Sequence, residues 1–508
     1  MRKSFSPDAV RQARGRWLSQ LPLLWMLATL LLTACHGSSD SQTGGDGASG
    51  TGDGRPNFLF IISDDQSWIH TSRAGYPLVK TPNFDQIANA GLYFNNAFVS
   101  APSCTPSRAA IIAGQDFWRL GSAGVLWGAY SDIMISYQDI LRDAGYAVGF
   151  TGKGWGPGVI LDQAVKPTGD VYNVFKRPKT VALEPYDLAA NFASFLQNKP
   201  RGEPFSFWVG PIEPHRPFDP EVPNRFTADN RQGAIPPFLP PTSTVEAELS
   251  SYLSEIEYFD RDLGALVQVL KDEGLFDNTI IVVTSDNGME FSRAKPTLYA
   301  YGVRVPLAIY WGKLVKPART IDDFVLLTDI APTFLAAAGM EIPAAMTGKS
   351  LLPILESPAS GQVDPRRDAV VVGLERHAGG IRPDNVGYPS RAIYTRDFTY
   401  IRNFFPDRWP VGDPPRWVES IPWLLQDPDT HEYLEPYFSL LTAKRPPEEL
   451  YDLRVDPYQM KNVVDDPDYA TALNELRERL TEYLVQTADP LELTGKDSFS
   501  QYKYYGPQ

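Results

Sequence analysis

Five short stretches of the 508-residue chain carry side chains whose types could do chemistry together. Asp64-Asp65 follows the apolar run NFLFIIS, and Asp286-Asn287 follows TIIVVTS. Lys153 follows GYAVGFTG, and His215 lies just beyond FSFWVGPI, within EPHRP. Three carboxylates and an amide are hard oxygen donors of the kind that hold a divalent cation. A lysine and a histidine beside them could bind an anion and move a proton. The fifth stretch, PSCTPSRAAIIAG, holds Cys104, one of only two cysteines. Each stretch also has a plain structural reading. An acidic pair after a strand serves as a turn or helix cap, SDNG is a good turn, and single lysines and histidines are commonly solvated or structural. The joint pattern is what argues for a site.

The elements that would position these residues are legible around them. A continuously apolar run suits a strand buried on both faces. Helical patterns such as TPNFDQIANAG and EAELSSYLSEIEYFDRDLGALVQVLKDEG lie between the runs. That alternation predicts an α/β fold, a mostly parallel sheet flanked by helices. Ligands in such sheets bind at the carboxyl ends of the strands, so the four ends are expected to converge on one pocket. Beyond about Gly373 the pattern changes. RAIYTRDFTYIRNF reads as a strand with one exposed face, and YATALNELRERLTEYLVQ spaces Leu473, Leu476, Leu480 and Leu484 as a helix would. A smaller C-terminal α+β domain, a short antiparallel sheet with one helix, is expected.

Composition bounds the function. The chain has 43% hydrophobic residues and a formal net charge of -14, which argues against nucleic-acid binding through bulk charge. The N-terminus reads as an export signal: basic residues up to Arg16, then LPLLWMLATLLL, too short to cross a bilayer comfortably. The run ends in LTAC, which looks like a bacterial lipoprotein cleavage box with Cys35 as the lipidated residue. An ordinary signal peptide or N-terminal anchor is the alternative. Residues 36–54, rich in Gly, Ser and Asp, read as a flexible tether. The expected organisation is thus 1–35 signal peptide, 36–54 tether, 55–372 catalytic domain and 373–508 C-terminal subdomain. The mature protein would sit in the periplasm or at the outer-membrane surface. If Cys35 carries lipid, Cys104 has no disulfide partner.

CTPSR followed by AAIIAG resembles the sulfatase signature, in which Cys-x-Pro-Ser-Arg marks a cysteine oxidised to formylglycine. Asp64-Asp65, TGKG, PHRP, TSDNG, AKPTLYAYGVRVPL and the late ELYDLRVDPYQMKNVVDDP occur in the family's order. The resemblance is to formylglycine-dependent sulfatases of the alkaline-phosphatase-like superfamily. TGKGWGPG, EPHRPF and ERHAGGIRPDNVGYPSR are closest to bacterial relatives of heparan N-sulfatase (sulfamidase). The chain departs from the pattern at Ile112-Ala113-Gly114, where Leu-Thr-Gly is usual. Trp155 stands where many sulfatases carry a histidine, and GMEFSRAK replaces the usual stretch after Asp286-Asn287.

The resemblance implies a set of roles. Cys104 would be the precursor of the nucleophile, installed by a formylglycine-generating enzyme that reads Pro106, Ser107 and Arg108. The hydrated aldehyde would attack sulfur. Asp64, Asp65, Asp286, Asn287 and residue 104 would hold Ca²⁺, with Mg²⁺ as the alternative. Arg108, Lys153 and Lys295 would hold the diol and sulfate oxygens, and His215 would protonate the leaving atom. Glu375, Arg376, His377 and Arg391 are candidates for reading the sugar. The expected substrate is a sulfated glycan, most specifically a glucosamine N-sulfate at a nonreducing end. An O-sulfatase on another sulfated polysaccharide stays open. So do a phosphate or phosphonate ester hydrolase of the same superfamily and an inactive glycan-binding lipoprotein. A two-zinc phosphatase is poorly supplied, because the chain has only five histidines.

Overall fold

A computed structural model describes residues 54–507, apart from 132–133, 163–165, 179–182, 313 and 414–420. The export segment, Cys35 and nearly all of the tether lie outside the described residues.

Fourteen strands are found among the described residues. In chain order they are β1 (Asn57–Ser63), β2 (Leu92–Phe98), β3 (Ala129–Tyr130), β4 (Ala147–Gly152), β5 (Val159–Ile160), β6 (Asp170–Val171) and β7 (Phe205–Gly210). They continue with β8 (Thr279–Ser285), β9 (Leu307–Tyr310), β10 (Arg319–Leu326), β11 (Ala369–Leu374), β12 (Ser390–Thr395), β13 (Phe398–Asn403) and β14 (Glu448–Asp452). Eight of them form a sheet in the order β10-β2-β9-β8-β1-β7-β4-β6. Only β9 runs antiparallel to its neighbours. The four strands singled out from the sequence are consecutive here, as β8-β1-β7-β4, and all parallel. Ser63 pairs with Ser285, and Gly152 with Gly210, so their carboxyl ends lie level.

The apolar runs are continuous because both faces of the sheet are covered. Phe58, Phe60 and Ile62 enter one core, whereas Leu59 and Ile61 enter another on the opposite face. The helix Leu188–Asn198 covers the second face with Phe192, Phe195 and Leu196. Its start is fixed by Asp187, whose side chain accepts from Ala190 N at 3.0 Å. The 30-residue helix Ser243–Asp272 serves two cores. Phe259, Leu263 and Leu266 join the sheet face, while Leu249, Tyr252 and Ile256 build a third cluster with Met289 and Phe291.

The strands β11-β12-β13-β14 form an antiparallel sheet, and the helix Ala470–Gln486 buries Leu473, Leu476, Leu480 and Leu484. One expectation is corrected here. RAIYTRDFTYIRNF is not a single strand but a hairpin, β12 and β13 joined at Arg396-Asp397. Thr395 closes the turn, its Oγ1 accepting from Phe398 N at 3.1 Å. Nor is one face exposed, since Ala392, Ile393 and Tyr394 are all buried. Tyr394 donates to Leu298 O at 2.5 Å and its ring lies 4.9 Å from that of Phe98. The outward-looking positions of the antiparallel sheet therefore meet the core of the parallel one.

Candidate active site

Each strand end delivers a specific side chain. β1 runs into Asp64 and Asp65, both buried, with Asp65 in the left-handed region at φ 74°. Aspartate tolerates that conformation better than most residues. The turn is held from the neighbouring strand ends: Asp64 N donates to Glu213 O (2.9 Å), and Asp65 N to Asp286 Oδ1 (3.1 Å). β4 ends at Gly152, with φ 74°, where a Cβ would run into the carbonyl oxygen of Gly210. Only glycine lets the chain turn there and aim Lys153 inward. Lys153 pairs with Asp64 Oδ2.

Cys104 is the first residue of a ten-residue helix, Cys104–Ala113, in which every side chain is buried. Its Sγ lies 3.5 Å from Asp64 Oδ1 and 3.4 Å from Lys295 Nζ. Burial pushes its thiol up, and Asp64 adds to that. Arg108, one turn on, donates from Nε to Asp286 Oδ2 at 2.7 Å and from Nη1 to the carbonyls of Lys153 and Gly154. Arg108 thus ties the Cys104 helix to two strand ends. Lys295 donates to both oxygens of Asp65 at 2.8 Å. Burial raises the Asp64 carboxyl, but Lys153, Arg108, His215 and Lys295 outweigh it and hold the group well below its usual value. Burial also weakens the charged form of Lys295; Asp65 and Cys104 more than offset it.

His215 accompanies this group on one side. Its Nδ1 is 2.5 Å from Arg216 O, and a carbonyl only accepts, so Nδ1 carries a proton. Nε2 is thereby left facing Asp65 Oδ2 at 3.9 Å. A ring nitrogen of His215 lies within 4.8 Å of both Cys104 Sγ and an Asp64 oxygen.

The donor set fits a hard divalent cation. Ligand atoms of Asp64, Asp65, Asp286 and Cys104 lie within 4.8 Å of one another. Asn287 donates through Nδ2 to Asp65 Oδ1 at 2.5 Å, while its Oδ1 is buried and has no hydrogen-bond partner among the described residues. An orphaned amide oxygen beside three carboxylates is what a cation that prefers oxygen would satisfy. Asp64, Asp65 and Asp286 are balanced by Arg108, Lys153 and Lys295. A divalent cation added to that balanced set leaves a positive surplus, which suits an anionic substrate.

The residues expected to read the substrate divide into two groups. His377 and Glu375 line a pocket that opens from Lys295. His377 Nδ1 is 2.9 Å from Ser103 Oγ, next to the nucleophile position, and its pKa is held well below the usual histidine range by burial, then by Lys295 and His215. Arg376 and Arg391 do not line that pocket. Arg376 turns away to Tyr502 O at 2.7 Å. Arg391 is fully buried between Glu375 (2.6 Å) and Asp489 (2.5 Å), where it braces the segment carrying His377. Trp155 is buried against Tyr130, with ring centroids 5.3 Å apart. Sequence reasoning missed the remaining walls, Tyr299, Tyr388, Asn403 and Arg445, and also Ser103. Tyr299, Tyr388 and Asn403 lie within stretches that stand out in the sequence, but nothing there singles out these positions as walls of one pocket. Glu290 was missed as well, although its stretch stands out as altered.

Fold and constellation together define an alkaline-phosphatase-like hydrolase. Residues 56–340 match the sulfatase family model, and the chain belongs to the sulfatase family, whose members hydrolyse sulfate esters. An ulvan-active sulfatase from Formosa agariphila is 28% identical over 86% of this chain and 81% of its own length. Human N-sulphoglucosamine sulphohydrolase is 26% identical over 86% and 91%. N-acetylglucosamine-6-O-sulfatase of Bacteroides thetaiotaomicron is 24% identical over 92% and 91%. Among solved structures, one described as a complex with its substrate D-glucosamine-2-N,6-O-disulfate superposes with TM-score 0.64 at 20% identity, covering 87% of this chain and all of that one. The phosphonate monoester hydrolase of Agrobacterium radiobacter, at TM-score 0.59 and 19% identity over 85% and 96%, shares the fold. The fold alone therefore does not choose between sulfur and phosphorus.

Proposed function

We propose that this sulfatase removes sulfate from a sulfated glycan, at a glucosamine N-sulfate on a nonreducing end, using formylglycine at position 104 and Ca²⁺. The observation that carries the reading is the pocket running from Lys295 and His377 to the C-terminal sheet, walled by Tyr299, Tyr388 and Leu374. Aromatic rings offer apolar faces to a sugar, and Asn403 and Arg445 offer hydrogen bonds to its hydroxyls. A pocket backed by the second sheet favours a chain end over a chain interior. The names of the human and Bacteroides relatives point to glucosamine sulfates.

Formylglycine and the cation would supply an acidified hydroxyl nucleophile beside a charge that neutralises sulfate oxygens. Asp64, Asp65, Asp286 and Asn287 would hold the cation, and calcium suits such an irregular all-oxygen shell; magnesium is the alternative. Lys153 and Lys295 bind sulfate oxygens where charge develops, Arg108 keeps residue 104 and Asp286 in register, and His215, in its imidazolium form with both ring nitrogens protonated, gives its Nε2 proton to the departing atom. The same proposal makes the protein an exported bacterial lipoprotein held to a membrane through Cys35, matured by a formylglycine-generating enzyme. Its support is the leader ending in LTAC and the intact CTPSR.

An O-sulfatase acting on another polysaccharide is the second reading, favoured by the similarity to ulvan-active sulfatases. The test is a disaccharide panel with separate N-, 2-O- and 6-O-sulfated members, alongside aryl sulfate, phosphate and phosphonate esters. Mass spectrometry of the peptide holding residue 104 accompanies it. Sulfate release from the N-sulfated member, with an aldehyde or its hydrate at position 104, is expected. Release only from O-sulfated members would move the assignment to the second reading. Unmodified cysteine in fully active protein would remove formylglycine from it.

A further inference from the structure

Glu290 has no part in the chemistry described so far, yet it lies against it. A carboxylate oxygen of Glu290, an Asp65 oxygen and a His215 ring nitrogen all lie within 4.8 Å of one another. Its Oε2 is buried and accepts no hydrogen bond from the described residues. The backbone is committed to this position, because Arg216 Nε donates to Glu290 O at 3.4 Å, linking it to the loop that carries His215. Phe291, the next residue, is buried in the cluster with Phe218 and Tyr252, their rings 6.0 and 5.7 Å from its own.

Three such donors around one point would attract a cation. A second metal ion is disfavoured there, because Asp65 is already shared between the candidate cation site and the Lys295 ammonium. A carboxylate at this point does not help to bind sulfate either, since like charges repel. It suits a cation or N–H donor brought by the substrate on the His215 side of the nucleophile. The leaving groups of the two sulfatase readings differ in this respect. When an S–N bond breaks, its electron pair stays on nitrogen. One proton from His215 gives the amine, and a second from solvent gives an ammonium. When an S–O bond breaks, the same proton from His215 gives a neutral alcohol. Only the first product carries positive charge.

We infer that Glu290 is a substrate-contacting residue that accepts a hydrogen bond from the leaving nitrogen and stabilises the amine product as its ammonium, so that it selects N-sulfated over O-sulfated sugars. This inference rests on the N-sulfate reading. Charge-assisted hydrogen bonds are about twice as strong as neutral ones, so an effect of tenfold or more is expected.

The experiment compares the wild type with Glu290→Gln and Glu290→Asp on N-sulfated and O-sulfated disaccharides. Inhibition by the free-amine disaccharide and by its N-acetylated analogue is measured alongside. Cation content and formylglycine fraction are checked in each protein, so that a variant that misfolds or fails to mature is recognised. Glu290→Gln should lower kcat/KM on the N-sulfated member at least 10-fold more than on the O-sulfated one. It should also weaken inhibition by the amine but not by the N-acetyl analogue, and Glu290→Asp should restore part of both. Equal losses on both substrates, or unchanged discrimination between the inhibitors, would overturn the inference while wild-type N-sulfate release leaves the N-sulfate reading intact. A wild type that releases only O-sulfate would overturn both.

Discussion

At the scale of single residues, Asp286 joins the two halves of the centre. Its Oδ1 accepts from the backbone of Asp65 and its Oδ2 from Arg108, so one carboxylate shapes the acidic turn and holds the Cys104 helix. Burial raises its pKa, and so does Asp64; Arg108 and Lys153 oppose them. Removing it leaves the Arg108 guanidinium buried with only the more distant Asp64, at 3.7 Å, as a counter-charge. Breaking one side of a buried pair costs about 3–5 kcal/mol. Asp286→Ala is therefore expected to lose at least about 10²-fold in kcat, the scale seen when preorganised electrostatics are removed. It should also melt at lower temperature and bind the cation more weakly. Calcium titration by calorimetry with kcat on an aryl sulfate checks this, and full activity after exhaustive chelation would contradict it.

At the scale of elements, function depends on strand ends that lie level and on turns tight enough to aim side chains between them. Gly152 is the sharpest case. Its positive φ and the carbonyl of Gly210 exclude a Cβ, and the next residue is Lys153. Gly152→Ala should displace Lys153 from Asp64 and lower kcat at least tenfold, while the pairing of β4 with β7 keeps the fold. Circular dichroism unchanged in form with reduced turnover is the expected pair of results. Wild-type kcat would show that the lysine does not need this turn. The hairpin β12–β13 shows where element reading from sequence reaches its limit. Arg396-Asp397 carries no glycine, proline or asparagine, so the turn is set by the Thr395 hydroxyl and by burial on both faces.

At the scale of the whole molecule, the C-terminal part is bolted to the catalytic sheet through buried polar links. Asp116, just beyond the Cys104 helix, is fully buried and accepts from Tyr483 of the C-terminal helix at 3.2 Å. Burial pushes its carboxyl up to about 7, with hydrogen bonds from Thr347 and Tyr483 opposing. A carboxyl raised above its unfolded value near 3.8 is bound by a proton more tightly in the folded state. Its contribution to stability is thus full below about pH 4 and is lost as pH rises towards 7, at about 1.4 kcal/mol per unit. Asp116→Asn keeps an acceptor for Tyr483 and has no charge to gain. It should melt higher than the wild type at pH 8, with the difference shrinking towards pH 4. Identical pH dependence of Tm in the two proteins would show that burial does not raise the Asp116 carboxyl above its unfolded value.

The sequence alone determined the catalytic strands and the residues at their ends. Backbone hydrogen bonding and burial on two faces demand continuous apolar runs, and charged residues directly after such runs stand out against them. It also determined the four buried leucines of the C-terminal helix, because helical periodicity is local. Only the tertiary structure decided which arginines line the pocket and which are struts. Arg376 and Arg391 look alike in the sequence beside His377, but one turns to Tyr502 and the other is enclosed by Glu375 and Asp489, more than a hundred residues apart in the chain. The pocket walls Tyr299, Tyr388, Asn403 and Arg445 likewise meet only because the antiparallel sheet folds back over the parallel one. Side-chain contacts over such separations are set by how two sheets share one core, and no local pattern encodes that.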